Sequence, residues 1–283
     1  MRIGFHMSIH GSIDRAVDRA LKIGCNTLQI FTRNPRGWKV RLLREKEIRA
    51  FISKVEKNDV RPVFSHMPYL SNLASPKNDV YAKSIETLII EMKRCEILKI
   101  PYLVTHLGSH LGYGAKIGLE RIIRAIDKAF SVAGEKITLL LENTCGGRNN
   151  VGGCFEDIQY IIERSTYSDK IGVCFDTCHA FAAGYDLRTE EAIEETIRIF
   201  DNIVGFNKIM LIHLNDSRGD LNSRIDRHEH IGLGKIGEKG FRNILKSKLA
   251  RLPLILETPK DSRRSDLDNL LKVKALAGFD IRS

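Results

Sequence analysis

The sequence predicts a closed (β/α)8 TIM barrel, an α/β fold in which eight parallel strands form a tube inside a ring of helices. Two observations predict it: eight short, almost wholly apolar segments recur along the chain, and helical patterns lie between them. Strands of such a sheet are buried on both faces, so they need no polar alternation. The predicted strands are Ile3–His6, Leu28–Thr32, Pro62–His66, Leu103–His106, Thr138–Glu142, Ile171–Asp176, Ile209–His213 and Leu254–Glu257.

Length and composition fit one barrel domain over residues 1–283. The chain has 283 residues, and such barrels typically take about 250. We find no low-complexity segment or linker, and no apolar run reaches the roughly 18 residues that a membrane span needs, so no membrane partner is expected. Six scattered cysteines favour a reducing, cytoplasmic setting over a disulfide scaffold.

The helices between the strands have local sequence signals. Ile85, Leu88, Ile89 and Met92 keep the i, i+3, i+4, i+7 spacing of a helix with one buried face. Ser75–Pro76 predicts the start of that helix, because serine caps helices and proline suits their first position.

Six predicted strands end in side chains that bind metals. The carboxyl ends of the strands carry the chemistry in this fold, so these side chains should surround one mouth of the barrel. Three further candidates lie in the loops that follow. The nine are His66, His106, Glu142, Asp176, His179, His213, Asp226, His228 and Glu257.

The spacing of the loop candidates supports a shared site. Asp176 and His179 are three residues apart after the sixth strand, where one turn of chain can present both to the mouth. Asp226 and His228 have i, i+2 spacing, which points two side chains the same way in extended chain. Zinc suits imidazole and carboxylate ligands.

Each of these residues also has a purely structural interpretation. A lone histidine at a strand end is more often a hydrogen-bonded structural residue, and a lone buried acid is often an ion-pair partner. Six strands that end in ligand-type residues make coincidence a poor explanation. His6 could either support the metal ligands or have a purely structural role. Cys174 is expected to pack in the core. Cys178 is a weaker candidate for a metal ligand.

Several long motifs occur in order along the chain. They are VCFDTCHAFAAGYD at Val173–Asp186, DRHEHIG at Asp226–Gly232 followed by Gly234, LENT at Leu141–Thr144, HLND at His213–Asp216 and LET at Leu256–Thr258. With these motifs the chain resembles the endonuclease IV family of zinc-dependent apurinic/apyrimidinic endonucleases. The resemblance runs from Ile3 to about Thr258, almost the whole chain.

The resemblance implies three zinc ions per chain, while Mn²⁺ stays open at one or more positions. His66, His106 and Glu142 would hold the first ion; Glu142 would bridge to a second, with Asp176, His213 and Glu257; His179, Asp226 and His228 would hold the third.

The same resemblance implies hydrolysis of the phosphodiester 5′ to an abasic site in duplex DNA, which leaves a 3′-hydroxyl and a 5′-deoxyribose phosphate. Zinc ions would activate the attacking water and offset the charge on the phosphate. Glu142 and Glu257 are the candidates to orient that water as well as to bind metal. A monomer is expected, as is usual in the family.

A net charge of +10 favours a polyanionic partner without locating the basic surface. The family flips the abasic nucleotide out of the duplex and fills the gap with an aromatic–aliphatic pair, which here would be Tyr69 and Leu70. An ordinary loop anchor over the barrel top is the alternative for that pair. The DNA contacts carried over are Arg33, Asn34, Arg36 and Arg227, although the neighbours of Arg36 depart from the family pattern.

Two other functions remain open from the residues alone. A sugar isomerase or epimerase on a related barrel would use Glu142, Asp176, His213 and Glu257, and the fold does not separate it from a nuclease. The five additional ligands, the wedge pair and the basic charge argue against it. A non-catalytic nucleic-acid binder with structural zinc is the third alternative, although structural zinc sites are usually closed and rich in cysteine.

Overall fold

The computed structural model describes residues 1–279 and confirms the predicted closed barrel. Its strands are β1 Ile3–Met7, β2 Leu28–Ile30, β3 Val63–His66, β4 Tyr102–His106, β5 Thr138–Glu142, β6 Ile171–Asp176, β7 Ile209–His213, β8 Asp216–Ser217, β9 His228–Glu229 and β10 Leu254–Leu256. Parallel pairing in the order β1-β10-β7-β6-β5-β4-β3-β2 closes the tube, while β8 and β9 form a small antiparallel pair outside it. The single-domain prediction extends to residue 283, and residues 280–283 lie outside the described part of the chain.

Helices follow the strands and cover most of the outside of the barrel, while the short helix that contains His179 lies at the mouth. They are α1 Arg15–Lys22, α2 Glu45–Lys57, α3 Asn78–Ile97, α4 Ala115–Ala133, α5 Phe155–Arg164, α6 Thr177–Ala183, α7 Glu190–Ile203, α8 Gly237–Lys246 and α9 Asp266–Leu276. The predicted start at Ser75–Pro76 was too early, since α3 begins at Asn78 and the Ser75 hydroxyl instead accepts a hydrogen bond from the Lys77 N–H. Among residues 1–279, no helix combines the length and the apolar character required to cross a membrane.

The second strand is two residues shorter than predicted. β2 ends at Ile30, whereas the apolar pattern extends to Thr32. The Thr32 hydroxyl donates to Glu91 of α3 and accepts from Arg94, so this residue is tied to a helix rather than to the sheet.

A layer of apolar side chains fills the barrel interior. It consists of Phe64, Val104, Leu140, Cys174, Leu211 and Ile255, all fully buried. Each lies two residues before one of the six predicted strand-end ligands. Because side chains alternate between faces with a period of two, those ligands point into the tube, one layer above this core.

The long loop after β7 has a defined structure at the mouth of the barrel. Residues 215–237 fold over the β8–β9 pair, where the carboxylate of Asp216 accepts hydrogen bonds from the backbone N–H groups of Gly232, Gly234 and Ile236. All six cysteines are free thiols, and five of them are buried.

Candidate metal centre

Every barrel strand contributes one polar side chain to the mouth. Six are the predicted ligands His66, His106, Glu142, Asp176, His213 and Glu257, and the other two are His6 of β1 and Gln29 of β2. The ring encloses a cavity of about 340 Å³, which His6, the third-site candidates and Glu257 help to line. The layer below it is apolar, so polar chemistry begins at this level of the barrel.

Glu142 lies at the junction of two ligand groups. Its Oε2 is 3.1 Å from Nε2 of His66 and 3.0 Å from Nε2 of His106. Its Oε1 is 2.9 Å from Nδ1 of His213, which is in turn 3.8 Å from Asp176 Oδ2 and 3.4 Å from Glu257 Oε2. The two oxygens of one carboxylate thus face different groups, as a bridging ligand requires.

The three loop candidates form the third group. Nε2 of His179 lies 3.2 Å from Oδ1 of Asp226, and Nε2 of His228 lies 3.7 Å from the same oxygen. His228 Nε2 is also 3.7 Å from Oδ2 of Asp176, which places this group beside the second one. In all three groups the potential ligand atoms lie within 4.8 Å of one another.

Hydrogen bonds to carbonyl groups orient four of the imidazoles. Nδ1 of His66 donates to Met67 O at 2.7 Å, Nδ1 of His179 to Asn143 O at 2.9 Å, and Nδ1 of His228 to Glu257 O at 3.2 Å. Nε2 of His213 faces the side-chain oxygen of Gln29 at 2.9 Å. In each ring the other nitrogen is left for the cluster, an arrangement typical of histidine ligands.

Neighbouring imidazoles keep the carboxylates of Glu142 and Asp226 ionised. Burial raises the pKa of Glu142, but the imidazoles of His106 and His213 more than offset this effect and hold the pKa well below its usual range. Partial burial also raises the pKa of Asp226, but the His179 imidazole outweighs this effect and lowers the pKa to about 2. Ionised carboxylates are the form that binds metal cations.

One buried nitrogen without a hydrogen-bond partner indicates whether a metal ion would fit the site. Nε2 of His228 is buried and has no hydrogen-bond partner among residues 1–279, although two carboxylate oxygens lie 3.7 Å away. A buried polar atom without a partner is costly, and a cation shared with those carboxylates would remove that cost. Imidazole and carboxylate donors also match zinc in type. The donor set fits the metal that the sequence implies.

Neither neighbouring thiol is needed as a ligand. Cys174 belongs to the interior apolar layer, as predicted, and burial raises its pKa to about 12. Burial likewise raises the pKa of Cys178 to about 12, and its Sγ lies 3.7 Å from Arg227 O. Metals bind the thiolate form, which these environments disfavour.

Two asparagines that were not singled out hold the acids in place. The Asn143 side chain accepts from Asp176 N at 2.7 Å and donates to Asp176 O at 3.1 Å. Asn215 donates to Asp176 Oδ2 at 2.7 Å and accepts from Glu257 N at 2.8 Å. Each lies within one of the motifs, immediately after Glu142 or two residues after His213, so the sequence contained a signal for both.

The predicted wedge pair lies on the rim of the cavity. Tyr69 is 62% exposed and Leu70 is 39% exposed. Tyr69 lines the cavity and packs edge-on against Phe31, with the ring centroids 5.0 Å apart. Tyr69 is therefore anchored beside the candidate ligands, and both side chains are accessible from outside.

The predicted DNA-contacting residues divide into two sets. Asn34, Arg36 and Arg227 are exposed, and the Asn34 side chain accepts a hydrogen bond from Arg36 N at 3.1 Å. Arg33 is only 4% exposed and its Nε lies 2.9 Å from Glu91 Oε1. A phosphate contact was predicted for Arg33, but in this structure its guanidinium is turned inward to Glu91 and supports the loop.

The charged segment after β10 is held in place by specific contacts. Arg263 pairs with Glu229 at 2.8 Å, and Arg264 donates to Ile231 O at 2.6 Å. His230 is fully buried, with Nε2 3.0 Å from Asp261 Oδ1. These contacts fix the loop that carries Asp226 and His228.

Known proteins share both the fold and the length of this chain. The family model described as a xylose isomerase-like TIM barrel matches residues 17–277. A protein of Methanoculleus marisnigri named "Probable endonuclease 4" is 53% identical over 278 residues, covering 98% of this chain and 99% of that protein. The crystal structure of endonuclease IV from Thermus thermophilus matches with a TM-score of 0.85 at 34% identity, covering 98% of this chain and 97% of that one.

A D-tagatose 3-epimerase-like protein matches with a TM-score of 0.72 at 19% identity, which shows the fold alone. Fold and site thus define a xylose isomerase-like TIM-barrel enzyme with a candidate metal centre at the carboxyl ends of its strands. Within that class, the chain belongs to the endonuclease IV family of nucleases.

Proposed function

We propose that this protein is a DNA-repair endonuclease that hydrolyses the phosphodiester 5′ to an abasic site in duplex DNA, with three zinc ions and with the damaged nucleotide flipped out. The products would be a 3′-hydroxyl and a 5′-deoxyribose phosphate. The observation that carries the proposal is the arrangement of nine ligand-type side chains in three contiguous groups, with Glu142 shared between two of them. The names of the relatives support the reaction class.

Zinc, when bound, lowers the pKa of the attacking water and stabilises negative charge on the phosphate oxygens. The chain supplies the ligands and their orientation. Glu142 divides its two oxygens between groups, and Glu257 carries one oxygen toward His213 while the other is hydrogen-bonded to Gln29 at 2.7 Å. Both carboxylates are therefore held in place to orient the nucleophile.

The rim residues fit the handling of a flipped nucleotide. A nucleotide without its base has lost most of its stacking, so its extrusion costs less than that of an intact one. Tyr69 lies at the cavity edge and lines an adjoining pocket with Leu70, so the pair could replace the missing stack. The cavity behind them leads to the ligand groups, so an extruded sugar-phosphate would arrive beside the metals.

Phosphate contacts would come from the exposed cations of the loops. Arg36 follows β2, and Arg227 lies between the ligand candidates Asp226 and His228. A net charge of +10 favours a polyanion such as duplex DNA. We also propose that one barrel domain carries the activity as a monomer, and that six free thiols suit a cytoplasmic setting.

The test is incision of a labelled duplex that carries one abasic site, by the wild type and by Glu257→Gln. Both proteins are first shown to be folded, and their zinc and manganese contents are measured. We expect the wild type to cut on the 5′ side of the lesion and the variant to lose at least about a hundredfold in rate, since one ligand oxygen becomes an amide. Glu195→Gln, on the exposed face of α7, is the matched control and should cut normally.

Failure of a folded, zinc-loaded wild type to cut would overturn the proposal. The same preparation would then be tested on ketoses and aldoses, because Glu142, Asp176, His213 and Glu257 are the set that a sugar isomerase would use. Resistance to a chelator would not count against the proposal, since tightly held zinc exchanges slowly.

A further inference from the structure

Gln29 is the fully buried polar side chain that β2 contributes to the barrel mouth. Its Oε1 is 2.9 Å from Nε2 of His213, and its Nε2 is 2.7 Å from Oε1 of Glu257. One amide therefore touches two members of the same ligand group, on the side of each that faces away from the cluster. It is not one of the nine ligand candidates.

The chemistry of the two neighbours fixes the direction of the amide. Glu257 is a carboxylate and can only accept, so it requires the NH₂ end of Gln29. The Gln29 carbonyl then faces His213 and requires a proton on Nε2 of that ring. A reversed amide would set a carbonyl against a carboxylate. Gln29 thus holds a proton on Nε2 of His213, which leaves Nδ1, 2.9 Å from Glu142 Oε1, as the ring nitrogen that can bind a metal.

Gln29 differs from the groups that orient the other histidines. Main-chain carbonyls orient His66, His179 and His228, and no side-chain substitution removes them. His213 depends on a side chain, which also restrains Glu257. The contribution of such orienting groups can therefore be measured at this position by mutation.

We infer that Gln29 is a positioning residue for the second metal: it sets the His213 tautomer and fixes one Glu257 oxygen so that the other faces the ion. The inference rests on the proposed metal centre. Groups that orient metal ligands typically change affinity by about 10–100-fold when removed. The expected effect is selective, because the first and third groups make no hydrogen bond to Gln29 within residues 1–279.

The experiment compares wild type, Gln29→Met and Gln29→Glu with a control variant, Thr27→Val. Methionine keeps the length of the side chain and removes its hydrogen bonds to His213, Glu257 and His6, while glutamate keeps an acceptor for His213. Thr27 is buried just before β2 and its hydroxyl bonds Pro62 O, so its substitution disturbs the same strand away from the ligands. Zinc per chain is measured first, then zinc loss to a competing chromophoric chelator, and finally the histidine tautomers by ¹⁵N NMR.

We expect Gln29→Met to bind one of three zinc ions about 10–100-fold more weakly and to lose the single Nε2–H tautomer of His213. Gln29→Glu should keep that tautomer, and Thr27→Val should match the wild type in both measurements. A Gln29→Met protein with wild-type zinc competition would overturn the inference. So would a wild-type His213 without a protonated Nε2, a result that does not require any variant to fold. A wild type that holds fewer than three zinc ions would instead contradict the proposed trinuclear centre.

Discussion

The guanidinium of Arg33 and the carboxylate of Glu91 lie 2.9 Å apart inside the protein, beneath the loop that follows β2. Arg94 joins them by donating to Thr32 and to Arg41 O. The loop that presents Arg36 is thus attached to α3 by a buried network of charges. Arg33 therefore supports the loop from inside the protein.

Removal of the Glu91 charge should destabilise the protein. Glu91→Gln leaves Arg33 and Arg94 buried without a counter-charge, and breaking a buried pair in this way costs about 3–5 kcal/mol. Urea unfolding at neutral pH measures the free energy of unfolding. Glu86→Gln, on the exposed face of the same helix, is the control and should be nearly neutral. A loss below about 1 kcal/mol for Glu91→Gln would show that the network is not needed.

Arg36→Ala should weaken the binding of every duplex, damaged or not. A cation that meets a phosphate releases a counterion, so the slope of log K against log salt should become shallower by about 1. Equilibrium binding is measured at several salt concentrations in the Glu257→Gln background, which prevents incision. Arg198→Ala, on α7 and paired with Glu195, should leave the slope unchanged. An unchanged slope for Arg36→Ala would remove this residue from the DNA interface.

Tyr69→Ala should reduce the preference for abasic over intact duplex. An aromatic ring that stacks in place of a base contributes about 1–3 kcal/mol, so the ratio of the two affinities should fall about 5- to 150-fold. Zinc content and affinity for intact duplex should stay the same. Phe279→Ala removes another exposed aromatic ring, after α9, and serves as the control. Equal losses on both duplexes would favour the loop-anchor interpretation of Tyr69.

The Glu47 carboxylate should contribute to the free energy of unfolding in a pH-dependent way. Arg44 and Arg41 lower the pKa of this carboxyl to about 2, outweighing the effect of its burial. Because the folded pKa lies below the unfolded one, the contribution is present above about pH 4.5 and is lost as the pH falls through 2. Both arginines are more than half exposed, so we expect Glu47→Gln to cost only about 1–2 kcal/mol at pH 7.

The measurement for Glu47 is the melting temperature of metal-free wild type and Glu47→Gln between pH 7 and pH 3. The gap between the two proteins should be constant at neutral pH and should narrow below about pH 4.5. A gap that widens as the pH falls would contradict the assigned direction of the pKa shift. Glu45→Gln, whose carboxylate is exposed, provides the comparison for a substitution on the same helix.

The sequence by itself determined the barrel and most of its mouth. Buried parallel strands appear in the sequence as apolar runs. Because side chains alternate between the two faces of a strand, the last residue of a run, such as His66 or Glu142, can be assigned to the inward face. The long motifs around Asp176 and Asp226 then indicated the remaining candidate ligands, which are His179, Asp226 and His228. These signals are local, and each fits within a few consecutive residues.

Only the tertiary structure decided the residues whose role depends on distant partners. Because the apolar run extends to Thr32, β2 was predicted to end there. That prediction placed Arg33 at the mouth and did not single out Gln29. The strand ends at Ile30 because Glu91 and Arg94 of α3 hold Thr32, and the same helix buries Arg33. Contacts across 59 or 62 residues leave no trace in local spacing, so packing decides which polar side chain contacts the candidate ligands and which one supports a loop.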